Sequence, residues 1–213
     1  MIQDSTATST TVAIARRTSR RSLVAAAALA LVLGALGARA ADAQSWRATQ
    51  GDVKIAVPLR PGGGFEAKTQ ALKGTLTLAE SDPVHLSGEL EVDLATIDTG
   101  IQLRNQHLRE NYLEVSKPGF DKAVLSDIRV GEARSETFEG RSSFAGNLKL
   151  HGVTKAIGGS AELKREASGM RVTASFPLSL TDFGIEPPQY MGVGVGNRLI
   201  VKVTFLAAPA GAR

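Results

Sequence analysis

Residues 85–94 read HLSGELEVDL. Leu86, Leu90, Val92 and Leu94 fall on one side of the chain with Gly88 in step, and His85, Ser87, Glu89, Glu91 and Asp93 fall on the other. Alternation of this kind is the period of a β-strand with one dry and one wet face. The same period recurs along the chain. Residues 170–180 (MRVTASFPLSL) put Met170, Val172, Ala174, Phe176, Leu178 and Leu180 on one face. Residues 144–150 do so with Phe144, Gly146, Leu148 and Leu150, and residues 199–205 with Leu199, Val201, Val203 and Phe205. Further strands are expected at 52–57, 64–69, 71–79, 123–130 and 158–165, with Ser168-Gly169 as a tight turn. Half-wet strands belong to antiparallel sheets. Eight or more of them predict a closed barrel, which leaves no open edge.

One segment breaks the pattern. Thr99-x-x-Gln102 reads as a capping box, and IQLRNQHLRENYL (101–113) then reads as a helix. Ile101, Leu108 and Tyr112 share a face of it, and Arg104 falls on that same face. The fold class is therefore all-β: an antiparallel barrel of about eight strands, with one short helix after the strand ending near 97 that covers a barrel end.

The N-terminal region is of another kind. Residues 1–22 are polar and carry Arg20-Arg21; Leu23 to Ala38 hold no charge, and the small-residue sites Ala38-Arg39-Ala40 and Ala41-Asp42-Ala43 follow. This is the order of an export signal, with a twin-arginine look. The 16-residue apolar run falls short of the roughly 20 residues that span a bilayer. Residues 1–43 are thus expected to be a cleaved leader, with cleavage before Gln44 or Ala41, and residues 44–213 a single domain of a periplasmic or secreted protein.

Composition narrows the function classes. The chain has 213 residues, 43% hydrophobic and 22% charged, with a net charge of +4. Residues 1–43 hold five Arg and two acids, so the rest carries 20 basic and 19 acidic residues. No basic cluster remains for a nucleic acid. With no Cys, disulfides, Cys-ligated metals and a Cys nucleophile are excluded. The wet face His85, Glu89, Glu91 and Asp93 cannot hold one ion with four ligands, because successive residues on a strand face lie about 7 Å apart. Gly192-Val193-Gly194-Val195-Gly196 lacks the spacing of a phosphate loop and reads as a glycine-rich loop before the last strand. No nucleophile elbow or zinc-protease motif is present, and His107 and His151 stand without an evident partner. No catalytic residue and no metal site are expected. What remains is the interior: composition alone favours close packing, but Gly88, Gly146 and Ala174 among larger inward residues make room, and any cavity there would be apolar and suited to a lipid.

Four pieces in order, VDLATIDTGIQLRNQHLRENYLEV (92–115), GNLKLHGVTKAI (146–157), LSLTDFGIE (178–186) and VGNRLIVKV (195–203), resemble the YceI-like, polyisoprenoid-binding proteins. The resemblance covers roughly 85 to 205. It implies an exported, lipocalin-like barrel with a helix, holding an isoprenoid or other long-chain amphiphile in an elongated apolar tunnel. It implies no resident cofactor beyond such a cargo, which could be quinone-like. It falls on Asp98, Arg104, His107 and Leu108, on 151–155 and on 182–185. Residues 51–78, with a Pro and three consecutive Gly, depart from the usual first strand, as does Tyr112-Leu113 from the usual paired aromatics.

The expected activity is sequestration in the lumen. By alternation, its lining candidates are Phe65, Leu76, Leu90, Val92, Leu108, Tyr112, Phe144, Leu148, Phe176 and Phe183. Arg104 and Asp98 are candidates for a structural ion pair or, for Arg104, contact with a ligand headgroup. A ligand-free module that partners a membrane or respiratory-chain protein is the alternative, and a homodimer is left open.

Overall fold

The computed structural model describes residues 45–79, 84–132 and 138–211. The leader expected over 1–43 lies outside the described residues. Ala43–Arg213 forms a compact unit. Its strands are β1 (Ser45–Arg60), β2 (Gly64–Thr69), β3 (Leu72–Ala79), β4 (Val84–Asp93), β5 (Lys122–Val130), β6 (Gly140–Leu150), β7 (Val153–Glu166), β8 (Gly169–Ser179), β9 (Gln189–Tyr190), β10 (Val193–Val195) and β11 (Arg198–Pro209).

Eight of these strands close a ring in the order β1-β3-β4-β5-β6-β7-β8-β11, and pairing of β11 with β1 completes it. Every pairing is antiparallel. Short connections between sequential strands allow this, whereas parallel neighbours would need long crossovers. The remaining strands extend the wall at one end. β2 pairs with Val53–Pro58 of β1, and β10 pairs with Leu59 and Arg60 beyond the start of β11. The turn expected at Ser168-Gly169 is Ala167-Ser168, with Gly169 already paired to Glu166.

Alternation sets the inward faces of β8 and β11. Met170, Val172, Ala174, Phe176 and Leu178 face the interior with Leu199, Val201, Val203, Phe205 and Ala207. In three strands the register to a neighbour shifts, and in β1 and β5 the inward period shifts with it. Extra residues at Thr49/Asp52 in β1, Leu86/Glu89 in β4 and Ser126/Arg129 in β5 shift the register. On β5 the inward residues are therefore Ala123 and Leu125, then Ile128 and Val130. Gly88 belongs to the β4 bulge. Its φ is +106°, and a Cβ there would sit 2.2 Å from the Thr75 carbonyl oxygen. Nor does Gly146 leave room, because a Cβ there would meet Leu125 at 3.0 Å and Ser126 at 3.1 Å. Of the three small residues expected to open the interior, Ala174 alone lines it.

The helix lies where expected but is shorter. After β4 comes a 3-10 turn (Leu94–Thr96), whose Ala95 N–H donates to the Asp93 carboxylate at 2.9 Å. Asp98 then pairs with Lys68 of β2 through two backbone hydrogen bonds of 2.9 and 2.8 Å. α1 (Gln102–His107) follows and widens into a π turn (Leu108–Tyr112). The capping box does not form. Ile101 holds the N-cap position without a side-chain bond. Thr99 instead donates its N–H and its hydroxyl to Oδ1 of Asn105, at 2.8 and 2.6 Å. One amide oxygen within α1 satisfies both Thr99 donors, so the cap lies within the helix rather than at its start.

Candidate functional site

The barrel encloses a cavity of about 1110 Å³. That exceeds the roughly 300–1,000 Å³ of ordinary small-molecule pockets. It runs from Trp46, Met170 and Ala207 at one end to α1, Gln189 and Val193 at the other. Its wall is overwhelmingly aliphatic and aromatic. Phe144 and Phe176 meet edge to face inside it, with centroids 5.9 Å apart, a favoured aromatic geometry. A Cβ on Gly159 would come within 3.0 Å of both rings' residues, so its missing side chain makes room for them.

Nine of the ten residues expected to line the lumen face this cavity: Phe65, Leu76, Leu90, Val92, Leu108, Tyr112, Phe144, Leu148 and Phe176. Phe183 does not. It lies in a 3-10 turn (Thr181–Phe183) beyond the end of β8, where strand alternation no longer applies, and is only 2% exposed. Its turn packs against β7, and its ring is buried in the apolar core.

Polar lining concentrates at the helical end. Thr99, Arg104, His107, Asn111 and Gln189 all lie there. Elsewhere in the lining the Thr69 hydroxyl is bonded to that of Thr96 at 2.5 Å. Arg104 is the one arginine or lysine among the described lining residues. Its guanidinium stacks 3.8 Å above the Phe65 ring, an attraction worth about 0.5–2 kcal/mol. One Nη2 hydrogen goes to the Thr99 carbonyl, and the buried Nε has no protein partner. Asp98 is not its counter-ion. Asp98 accepts from Asn105 Nδ2 and the Gly100 N–H, both at 2.8 Å, and the Asn105 bond above all holds its carboxyl below the usual range. The mouth thus presents an arginine whose bonds are incompletely used.

Outside the mouth most polar groups are paired within the protein, although Arg109, whose Nη2 donates to the Ile97 carbonyl at 3.2 Å, also has a buried Nε without a partner. His151, expected to stand alone, has Nδ1 3.2 Å from the Phe183 carbonyl oxygen and Nε2 3.2 Å from Glu114, with Phe120 tilted against its ring at 4.4 Å. Glu114 also receives Lys117 at 2.6 Å, and that hydrogen bond chiefly holds its carboxyl below the ordinary range. On the wet face of β4, His85 meets Asp127 at 2.7 Å. Glu91 lies 3.1 Å from both Lys73 and Lys122. Burial opposes ionisation of Glu91, but these two lysines together hold its carboxyl below the usual range. No metal-binding group of acids and histidines occurs among the described residues.

Sequence reasoning missed part of the mouth. Leu103 lies off the apolar helix face, and Gln189 and Val193 belong to short strands hidden in a glycine-rich stretch, yet all three border the cavity. Their role depends on β1 running past the barrel rim to pair with β10, which no local pattern signals.

The chain matches the model of the YceI-like domain over residues 49–207. Comparison with curated protein sequences gives no match. Three solved structures share the fold. A polyisoprenoid binding domain from Saccharophagus degradans, implicated in plant cell wall breakdown, is 17% identical with a TM-score of 0.58, covering 78% of this chain and 98% of that one. BcnA from Burkholderia cenocepacia is 10% identical with a TM-score of 0.58, covering 73% and 96%. A YCEI protein from Campylobacter jejuni is 12% identical with a TM-score of 0.51, covering 70% and 87%. With a closed eight-stranded barrel, a helix at one end and a family match across most of its length, the chain belongs to the YceI-like family.

Proposed function

We propose that this chain is a carrier that sequesters an isoprenoid or another long-chain amphiphile in the barrel cavity. The observation that carries the reading is the polarity of the cavity along its length: apolar through the barrel, polar at the helical mouth. An amphiphile matches that gradient. Its tail would lie among Leu76, Leu90, Phe144, Leu148 and Phe176, and its head would meet Arg104. Burying the tail contributes about 0.8 kcal/mol per methylene, so affinity comes from the wall. Arg104 orients the head, and the terminal guanidinium hydrogens it does not spend on the Thr99 carbonyl favour an oxygen-bearing group such as a phosphate, a carboxylate or a quinone-like carbonyl. The mechanism is binding without a chemical step. The leader-like residues 1–43 support a periplasmic or secreted location, where a free long-chain lipid needs shielding from water.

Leu148→Trp tests the cavity as the binding place. Leu148 is buried near the end of β6 and faces the cavity. Added bulk there should lower uptake of a fluorescent fatty or isoprenoid probe about tenfold or more, while the fold survives an overpacking cost of about 1–3 kcal/mol. Undiminished uptake by the folded variant would contradict the proposal and favour a module that works without a cavity ligand.

A further inference from the structure

Among the described residues, five large hydrophobic side chains are exposed: Ile101, Leu103, Met191, Val193 and Ile200. Isolated exposed apolar residues are ordinary; a cluster of them is informative. These five lie at one end of the barrel. Ile101 and Leu103 stand at the start of α1, at the mouth. Met191, 85% exposed, sits in the turn between β9 and β10, and Val193 opens β10 at the same mouth. Ile200, near the start of β11, borders a shallow outer groove with Pro58 and Gly64 just outside the same rim.

We propose that this rim docks on the surface of a lipid bilayer, with Leu103 and Met191 entering its interfacial region at the open mouth. The inference rests on the carrier reading. Ile101, Leu103 and Val193 belong to the cavity lining as well as to the exposed surface, so the apolar wall continues outward into the rim. A tail leaving the barrel through water would be exposed methylene by methylene. Seated on a bilayer, the rim joins the cavity to the phase in which such a tail dissolves. Arg60 and Arg198 are exposed at this end, but Glu66 and Glu186 are exposed there too. The surface therefore adheres through its apolar side chains and does not require an anionic membrane.

The test is flotation of the Ala43–Arg213 unit with neutral phosphatidylcholine vesicles, together with native mass spectrometry of its cargo. Met191 lies outside the cavity lining and has a φ of +48°, which Asp tolerates. Met191→Asp should lower the vesicle-bound fraction about fivefold, and Met191→Trp should raise it by a similar factor. Neither should change the cargo content. Failure of the unmodified unit to float, or equal flotation of the Asp variant, overturns the proposal. Binding to native membranes that protease treatment abolishes, without binding to pure vesicles, also overturns it and assigns the rim to a membrane protein. Cargo-free protein that floats and responds at Met191 supports docking while overturning the carrier reading.

Discussion

Phe183 and Phe65 sit at the same end of the barrel, one buried in its core and the other framing its opening. Beside Phe183 a chain of polar groups is paired within the protein. Its carbonyl meets His151, His151 meets Glu114, and Glu114 receives Lys117. Around Phe65 the polar groups are left incomplete. Arg104 lies over the ring with one hydrogen bond to Thr99 and a bare Nε, and exposed Ile101 and Leu103 stand beside it. A closed hydrogen-bond set makes a wall, whereas unspent donors beside exposed apolar groups make an entrance.

The largest expected effect breaks the sealed side. Phe183→Ala should cost about 3–5 kcal/mol of stability, because a nearly fully buried ring leaves a void among fixed neighbours. Denaturant unfolding measures it. A loss below about 1 kcal/mol would show that the ring is not part of the core.

On the open side the order of effects should invert. Arg104→Met keeps an apolar stem but removes the guanidinium. It should weaken binding of an anionic long-chain probe about tenfold, the scale of one charge-assisted hydrogen bond. Thermal stability should change little, since only a half-buried stacking contact and one carbonyl bond are lost. Equal binding of anionic and uncharged probes in both proteins would remove Arg104 from the headgroup role.

The smallest effect is electrostatic. Glu114 is held below its ordinary value of 4.5, chiefly by the Lys117 hydrogen bond. The folded state therefore keeps it ionised where the unfolded chain would take up a proton. Its stabilisation is present above the ordinary carboxylate value and is lost as pH falls through the lowered one. Glu114→Gln removes that contribution. Its melting temperature should fall slightly below the unsubstituted protein's near neutrality, and the gap should close on acidification. A gap that widened in acid would reverse the assignment.

The same contrast marks how much could be read in advance. The wall was legible, because alternation in 144–150, 170–180 and 199–205 maps directly onto inward positions. Three bulges were not, since one inserted residue such as Asp127 leaves no compositional trace. The helix was visible, but its anchoring was misread. Thr99 is served by Asn105, and Asp98 is tied to Lys68 across the chain, and neither bond follows from a capping pattern. Phe183 falls out of step with the even-numbered inward face of 170–180, and it lies in a turn past the end of β8 where no alternation places a side chain in the lumen. Departures in 51–78 acquired a meaning only in three dimensions. There β1 overruns the barrel, β2 and β10 follow it, and together they raise the rim beside the mouth.

The central claim is that the cavity carries a long-chain amphiphile. Native mass spectrometry of the protein purified from its own cells, followed by organic extraction, is the measurement to make. The account predicts an added mass of isoprenoid or fatty type that extraction removes and a fluorescent lipid then replaces. Protein of bare mass that also fails to take up the probe would contradict it.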